Sequence, residues 1–265
     1  MSRNATFYLS EEQNASFDAE YHSKLEVGDK LSALHEYFKV EEKAGLRILD
    51  VGGGNGQFLD TVLDYFQSAV GTLIDISPML INANLPHPRK CIIHGDLYNI
   101  NRLLKAHGFD MIFINWVLHH LVGDTYDDCT RRAVLLLQSL RSFITERGLI
   151  IIAENLYDGW FQSNTPSKLI FAITSISNPL MVAATRRIAN TAGVGVCFRS
   201  ERAWSNIFSQ CGFEERIGRK YGDYWNLPVY IRIGLTISKV RHGHFFIAPK
   251  ARQVSALETD EMSVS

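Results

Sequence analysis

The chain has 265 residues, 46% hydrophobic and 21% charged, with 27 Lys and Arg against 28 Asp and Glu for a net charge of −1. That balance describes a globular chain with a sizeable core, and it excludes wholesale disorder and a sequence-wide electrostatic attraction to nucleic acid. No apolar run of about 18 residues spans a membrane, and the polar stretch after Met1-Ser2-Arg3 is unlike a signal peptide, so the expected location is cytoplasmic. Cys91, Cys129, Cys197 and Cys211 form no Cys-x-x-Cys pair and are expected to be ordinary free thiols.

In chain order, residues 19 to 40 carry Tyr21, Leu25, Leu31, Leu34, Tyr37 and Phe38 at spacings that suit an amphipathic helix or helix pair. From residue 46 short apolar runs alternate with helix-compatible stretches, the rhythm of βαβ units in a parallel sheet. The expected strands are 46–51, 69–74, 90–94, 109–115 and 149–154, each nearly continuously apolar, as befits strands covered on both faces. Helices are expected at 57–66, 78–83, 99–106 and 127–144. Residues 160–198 break this rhythm with Pro166, Pro179, Gly193 and Gly195 around two apolar helical stretches, 168–176 and 180–189. A helix at 200–210 ending near Gly212 follows, then strands at 213–220 and 244–248; residues 229–240 suit either a helix or a strand. The expected organisation is an N-terminal helical lid (1–45), a core (46–158), a helical lid insertion (159–199), the rest of the core (200–249) and a disordered polar tail (250–265).

The strongest chemical signal is the apolar run Ile48-Leu49-Asp50-Val51 leading into Gly52-Gly53-Gly54-Asn55-Gly56. Glycines at 52, 54 and 56 allow the backbone to pass close to a ligand at a strand's carboxyl end. Gln57 stands where the dinucleotide fingerprint needs a glycine, and no Gly-Lys-Ser/Thr follows, so neither a pyrophosphate site nor a Walker loop is expected. The next strand ends at Asp75-Ile76, where an acid can accept from both hydroxyls of a ribose, and the third ends at Asp96-Leu97, within reach of an adenine amino group. Asp96 has a competing role as a helix N-cap.

These residues resemble the class I S-adenosylmethionine-dependent methyltransferases of the small-molecule branch. The likeness rests on Leu49 to Gly56, Asp75, Gly95-Asp96-Leu97, Asn115-Trp116-Val117-Leu118-His119-His120-Leu121, Glu146 to Glu154 and Phe208 to Phe213. It implies a doubly wound α/β fold with a mostly parallel seven-stranded sheet whose last strand is antiparallel. It also implies S-adenosylmethionine as cofactor: Asp50, Gly52, Gly54 and Gly56 at the methionine and ribose part, Asp75 with Ile76 at the ribose, Asp96 and Leu97 at the adenine, and the Asn115 backbone at the cofactor's amino group.

Either His119 or His120 can act as general base, since a neutral imidazole removes a proton near cellular pH. Alignment alone is the competing route, because methyl transfer from a sulfonium is an in-line displacement. The Asn/Asp-Pro-Pro-aromatic turn of base-amine methylases is missing, as is the first acid of metal-dependent catechol methyltransferases, where Asn115 stands instead; no metal is expected. Tyr21, Trp116, Asn155, Arg186 and Arg187 are the candidate substrate contacts. Lys168, Arg186, Arg187 and Arg199 lie between Gly159 and Ser200 with no Asp or Glu, which favours an anionic substrate if they face the pocket. The expected partner is a small molecule with apolar bulk, neither nucleic acid nor membrane; the acceptor atom (O, N or C) and a homo-oligomeric state stay open. The alternative is the same fold using the cofactor without donating its methyl, in a cyclisation or rearrangement, or as a noncatalytic subunit.

Overall fold

The computed structural model describes residues 24–38, 45–105, 107–176, 193–221 and 227–250. In chain order the elements are α1 (Lys24–Tyr37), β1 (Arg47–Val51), α2 (Gln57–Tyr65), β2 (Val70–Asp75), α3 (Pro78–Asn82), β3 (Lys90–His94), α4 (Ile100–Leu103), β4 (Phe109–Asn115), α5 (Tyr126–Arg141), β5 (Ile144–Gly159), α6 (Thr165–Thr174), α7 (Glu201–Gln210), β6 (Phe213–Tyr221), α8 (Val229–Gly234) and β7 (Ile237–Pro249). They build one 7-stranded sheet in the order β3-β2-β1-β4-β5-β7-β6. Neighbouring strands from β3 to β5 pair in parallel, and β7 runs antiparallel to both β5 and β6. The chain leaves β1 on one side for β2 and returns on the other for β4, so the carboxyl ends of β1 and β4 flank the switch point where such sheets hold ligands.

Side-chain alternation along the strands makes two cores. Leu49, Val51, Ile112, Ile114, Ile150 and Ile152 pack on the side of α5 and α7, with Ala133, Leu137, Trp204 and Phe208. Ile48, Met111, Phe113, Leu149 and Ile151 pack on the other side with Leu34 of α1 and Leu59 and Leu63 of α2. Helix starts follow local chemistry. Thr125 and Asp128 form a reciprocal capping box at α5, and the Ser200 hydroxyl accepts from the Ala203 N–H at α7.

The expected strands and helices are present, with three differences. β3 lies at the sheet's edge, so Cys91 and Ile92 are exposed and this strand is not covered on both faces. β5 begins at Ile144 and runs on through Glu154, Asn155 and Asp158 to Gly159 because β7 pairs with it from Ile150 to that end. The open stretch 229–240 divides into α8 and the start of β7, with Thr236 between them in left-handed backbone at φ 55°. Cys129, Cys197 and Cys211 are buried and Cys91 is exposed, all as free thiols. The expected helix at 180–189 and the tail beyond residue 250 lie outside the described residues. Among the described residues no helix is long and apolar enough to cross a membrane.

Candidate functional site

The turn after β1 is built on left-handed backbone: Gly54 has φ 55°, a conformation that disfavours side chains with a Cβ. The Gly52 N–H donates to the Ile74 carbonyl at 2.7 Å, and the Gly54 N–H donates to Asp75 Oδ2 at 2.9 Å. The Ser77 N–H reaches Asp75 Oδ1 at 2.8 Å, so the Asp75 carboxylate binds the two turns after β1 and β2 together. Burial pushes its pKa up, against the N–H donors of Ser77, Gly54 and Ile76 and the charge of His94. Each Asp75 oxygen retains a lone pair for a further donor.

Asp50 lies just below this turn, 1% exposed, and its Oδ2 has no hydrogen-bond partner among the described residues. Burial, and next the neighbouring Asp75, raise its pKa to about 7, while Lys30 and Lys90 act in the opposite direction. Asp96 does cap: its Oδ1 accepts from the Tyr98 N–H at 2.9 Å. Leu97 starts that short 3-10 turn and packs against the core.

At the end of β4, Asn115 Oδ1 accepts from Lys30 Nζ at 3.0 Å. Trp116 follows in left-handed backbone (φ 54°), an unusual state for a bulky residue, and its ring meets His242 edge-on at 5.8 Å between centroids. One turn further on, His119 is 2% exposed and its Nδ1 lies 2.7 Å from Oε2 of Glu154, which is fully buried. Glu154 Oε1 accepts from the Leu118 N–H at 2.8 Å, which fixes the carboxylate. A carboxylate can only accept, so this pair assigns the proton to Nδ1 and leaves the lone pair on Nε2.

The His119 ring lies tilted against His120 at 4.1 Å and against Phe198 at 4.9 Å between centroids, and Phe198 stacks at 4.6 Å on Tyr157. Its backbone carbonyl accepts from the Cys197 N–H at 2.9 Å, so the end of the insertion lies against the imidazole. Burial, and next His119, lower the pKa of His120 well below the ordinary value, which keeps it neutral. Asn155 is buried opposite His242 of β7, with Oδ1 lacking a partner among the described residues.

The strand ends thus bring together Asp50, the glycines, Asp75, Asn115, Trp116, His119, His120 and Asn155. Asp96 and Leu97 stand at the β3 side of that row. Tyr21, Arg186 and Arg187 lie outside the described residues. Sequence reasoning missed Lys30, which no motif marks, and missed Glu154 as the partner of a histidine. The β5 alternation carried a signal for Glu154, since it falls on the face of Ile150 and Ile152. Among the described residues no group of three or more His, Cys, Asp and Glu is placed to hold a metal ion.

A mostly parallel sheet with a glycine turn at its switch point and an acid at the next strand end is an arrangement with which α/β folds bind nucleosides. Residues 49–150 match the family model described as a methyltransferase domain. Over that stretch, less than half of its length, the chain is similar to methyltransferase domains.

Solved structures share its fold. An arsenic(III) S-adenosylmethionine methyltransferase from Chlamydomonas reinhardtii matches at 12% identity and TM-score 0.55, over 79% of this chain and 65% of that one. LepI in complex with SAM matches at 14% identity and TM-score 0.51, over 82% of this chain and 46% of that one. A LepI variant in complex with SAH and a substrate analogue matches at 13% and 0.50, with coverage of 82% and 46%. The chain therefore spans about half the length of LepI. No curated protein sequence matches it.

Proposed function

We propose that this protein is an S-adenosylmethionine-dependent methyltransferase acting on a small molecule, with His119 as general base and Glu154 as the group that orients it. The observation that carries the reading is the buried 2.7 Å contact between His119 and Glu154, placed at the same end of the sheet as the glycine turn. The residues fit the cofactor: left-handed glycines give close approach, Asp75 offers further acceptor capacity for a ribose, and the buried Oδ2 of Asp50 awaits a donor. When bound, the cofactor supplies an electrophilic methyl group.

The chain's residues supply the rest. Glu154 holds the Nδ1 proton of His119 and stabilises the imidazolium that forms when Nε2 takes the acceptor's proton. Phe198 and His120 pack against the ring and limit its rotation. The surrounding apolar residues exclude water and favour a substrate with apolar bulk.

Incubation of the protein with methyl-labelled S-adenosylmethionine and a metabolite extract tests this reading. A labelled product is expected with the native protein, and at least about 100-fold less with His119→Ala at unchanged cofactor affinity. Consumption of a metabolite without label transfer would instead favour a rearrangement steered by the cofactor.

A further inference from the structure

β5 and β7 continue beyond the ends of the other strands. Asn115 ends β4 opposite Ala153 of β5, and Gly159 lies six residues further on, so the pair projects about 20 Å past that level, at the end of the sheet that carries the glycine turn. The tip is held firmly. The Gly159 N–H donates to the Ser163 carbonyl at 3.0 Å and the Ser163 N–H to that of Trp160 at 3.1 Å, while the Ser238 hydroxyl donates to the carbonyls of Asp158 and Gly159 at 2.8 and 3.0 Å. Arg232 Nη2 donates to the Ser238 carbonyl at 2.7 Å, which ties α8 to the same corner. Beneath it Tyr157, Ile237 and Val240 are buried, with Leu227 and Leu235 packed against them.

This corner exposes large apolar side chains. Trp160, Val229, Tyr230 and Ile233 are exposed, and Phe161 is 98% exposed. Phe161 and Gln162 hold left-handed backbone at φ 56° and 57°, an uncommon state for residues with a Cβ. A strained turn that displays a whole phenyl ring to water gains nothing from its own core. The described residues 159–176 and 227–241 contain Lys168, Arg232, Lys239 and Arg241 and neither Asp nor Glu. Arg241 is committed to Asp158 and Glu201, whereas Lys168, Arg232 and Lys239 are exposed, so the apolar corner is set in a positive rim.

The rim decides among occupants. A second copy docked about a two-fold axis would bring like charges against one another. An anionic lipid surface meets both features: aromatic and aliphatic side chains enter the boundary between headgroups and acyl chains, and basic ones attract the phosphates. We propose that Trp160, Phe161 and the exposed face of α8 dock this protein on anionic membrane surfaces, with the carboxyl ends of the strands turned towards the bilayer. The contact lies in the interface plane and needs no spanning helix. No apolar run announces it in the sequence, because residues 160–161 and 229–233 come together only in the fold. A substrate with apolar bulk partitions into that same interface, so docking concentrates it beside the site. The proposal goes beyond the methyl-transfer reading and does not rest on it.

Vesicle flotation of the full chain without cofactor tests it, with phosphatidylcholine vesicles that contain or lack phosphatidylserine. The native protein is expected to float with the phosphatidylserine vesicles and to bind phosphatidylcholine alone at least about 10-fold more weakly, a difference that shrinks at high salt. Phe161→Gly removes the ring and suits left-handed backbone, and Ile233→Ser removes a second anchor; each should weaken binding by at least about 5-fold at an undiminished melting temperature. Lys168→Glu combined with Lys239→Glu should abolish the preference for phosphatidylserine. Lipids brominated on their acyl chains should quench tryptophan emission of the native protein, and Trp160→Phe should remove that quenching while binding is retained. No flotation with phosphatidylserine vesicles, or equal flotation of the native protein, Phe161→Gly and Ile233→Ser, would overturn the proposal. A native dimer in equilibrium sedimentation that Phe161→Gly disperses, without flotation, would give this face to a second copy and overturn it too. Because neither cofactor nor substrate is present, failure of the methyl-transfer reading leaves these outcomes unchanged.

Discussion

Asp50 ties the site to the stability of the fold. Its pKa rises from 3.8 in an unfolded chain to about 7 when buried. The folded state thus holds a proton that the unfolded state has released, so the contribution of Asp50 to stability is greatest below about pH 4 and is lost as pH rises through 7. The shift corresponds to a loss of at most about 4 kcal/mol across that window, and Asp75, raised for the same reason, acts in the same sense. Asp50→Asn keeps the shape without the charge, so urea titrations of the variant should show a flatter pH profile and greater stability than the native protein at pH 8. A variant with the native slope would place the sensitivity elsewhere. The proposed base, His119, offers a second test. Glu154→Gln retains an acceptor for Nδ1 but removes the charge that stabilises imidazolium, so turnover should fall about 100-fold or more with cofactor affinity unchanged. Parallel losses in turnover and cofactor affinity would mark Glu154 as a packing residue.

At the level of elements, position in the sheet decides sensitivity. Ile114 of β4 is fully buried, and Ile114→Ala should cost about 2–5 kcal/mol in chemical denaturation. Ile92 on the edge strand β3 is 37% exposed, and Ile92→Ala should cost well under half of that. Thr125→Ala breaks the capping box of α5 and should cost about 1 kcal/mol. Comparable losses at Ile92 and Ile114 would contradict the strand order. These contrasts also show where the sequence was legible. β1, β2 and β4 are apolar runs, and the glycines after β1 announce their turn, so half of the sheet and the Asp50–Asp75 part of the site could be read directly. β5 beyond Ala153 and β7 before Gly243 carry Glu154, Asn155, Asp158, Arg241 and His242, and this polarity hid their pairing. Lys30 was hidden for another reason: a lysine in an amphipathic helix ordinarily faces water, and only the docking of α1 over the strand ends buries it.

Across the whole molecule, ligand binding and folding are one equilibrium. Saturation with S-adenosylhomocysteine at 100 times its dissociation constant should stabilise the native protein by about 2.7 kcal/mol, visible as a raised melting temperature. Gly54→Val places a β-branched residue in left-handed backbone at φ 55° beside the ligand, so this shift should vanish and the unliganded protein should itself be less stable. An undiminished shift would mean that the turn tolerates a side chain and does not approach the ligand. The β6 edge of the sheet hangs on β7, which among the described residues alone joins β6 to the rest. Because β6 precedes β7 in the chain, a growing polypeptide on the ribosome presents β6 before the strand that receives it, and β5 keeps an open edge until β7 has emerged. For that interval the nascent protein carries two unsatisfied strands, each a template for pairing with another chain. Ribosomes paused before Ile237 should therefore expose an aggregation-prone intermediate that bind-and-hold chaperones capture, and those that have released Pro249 should not.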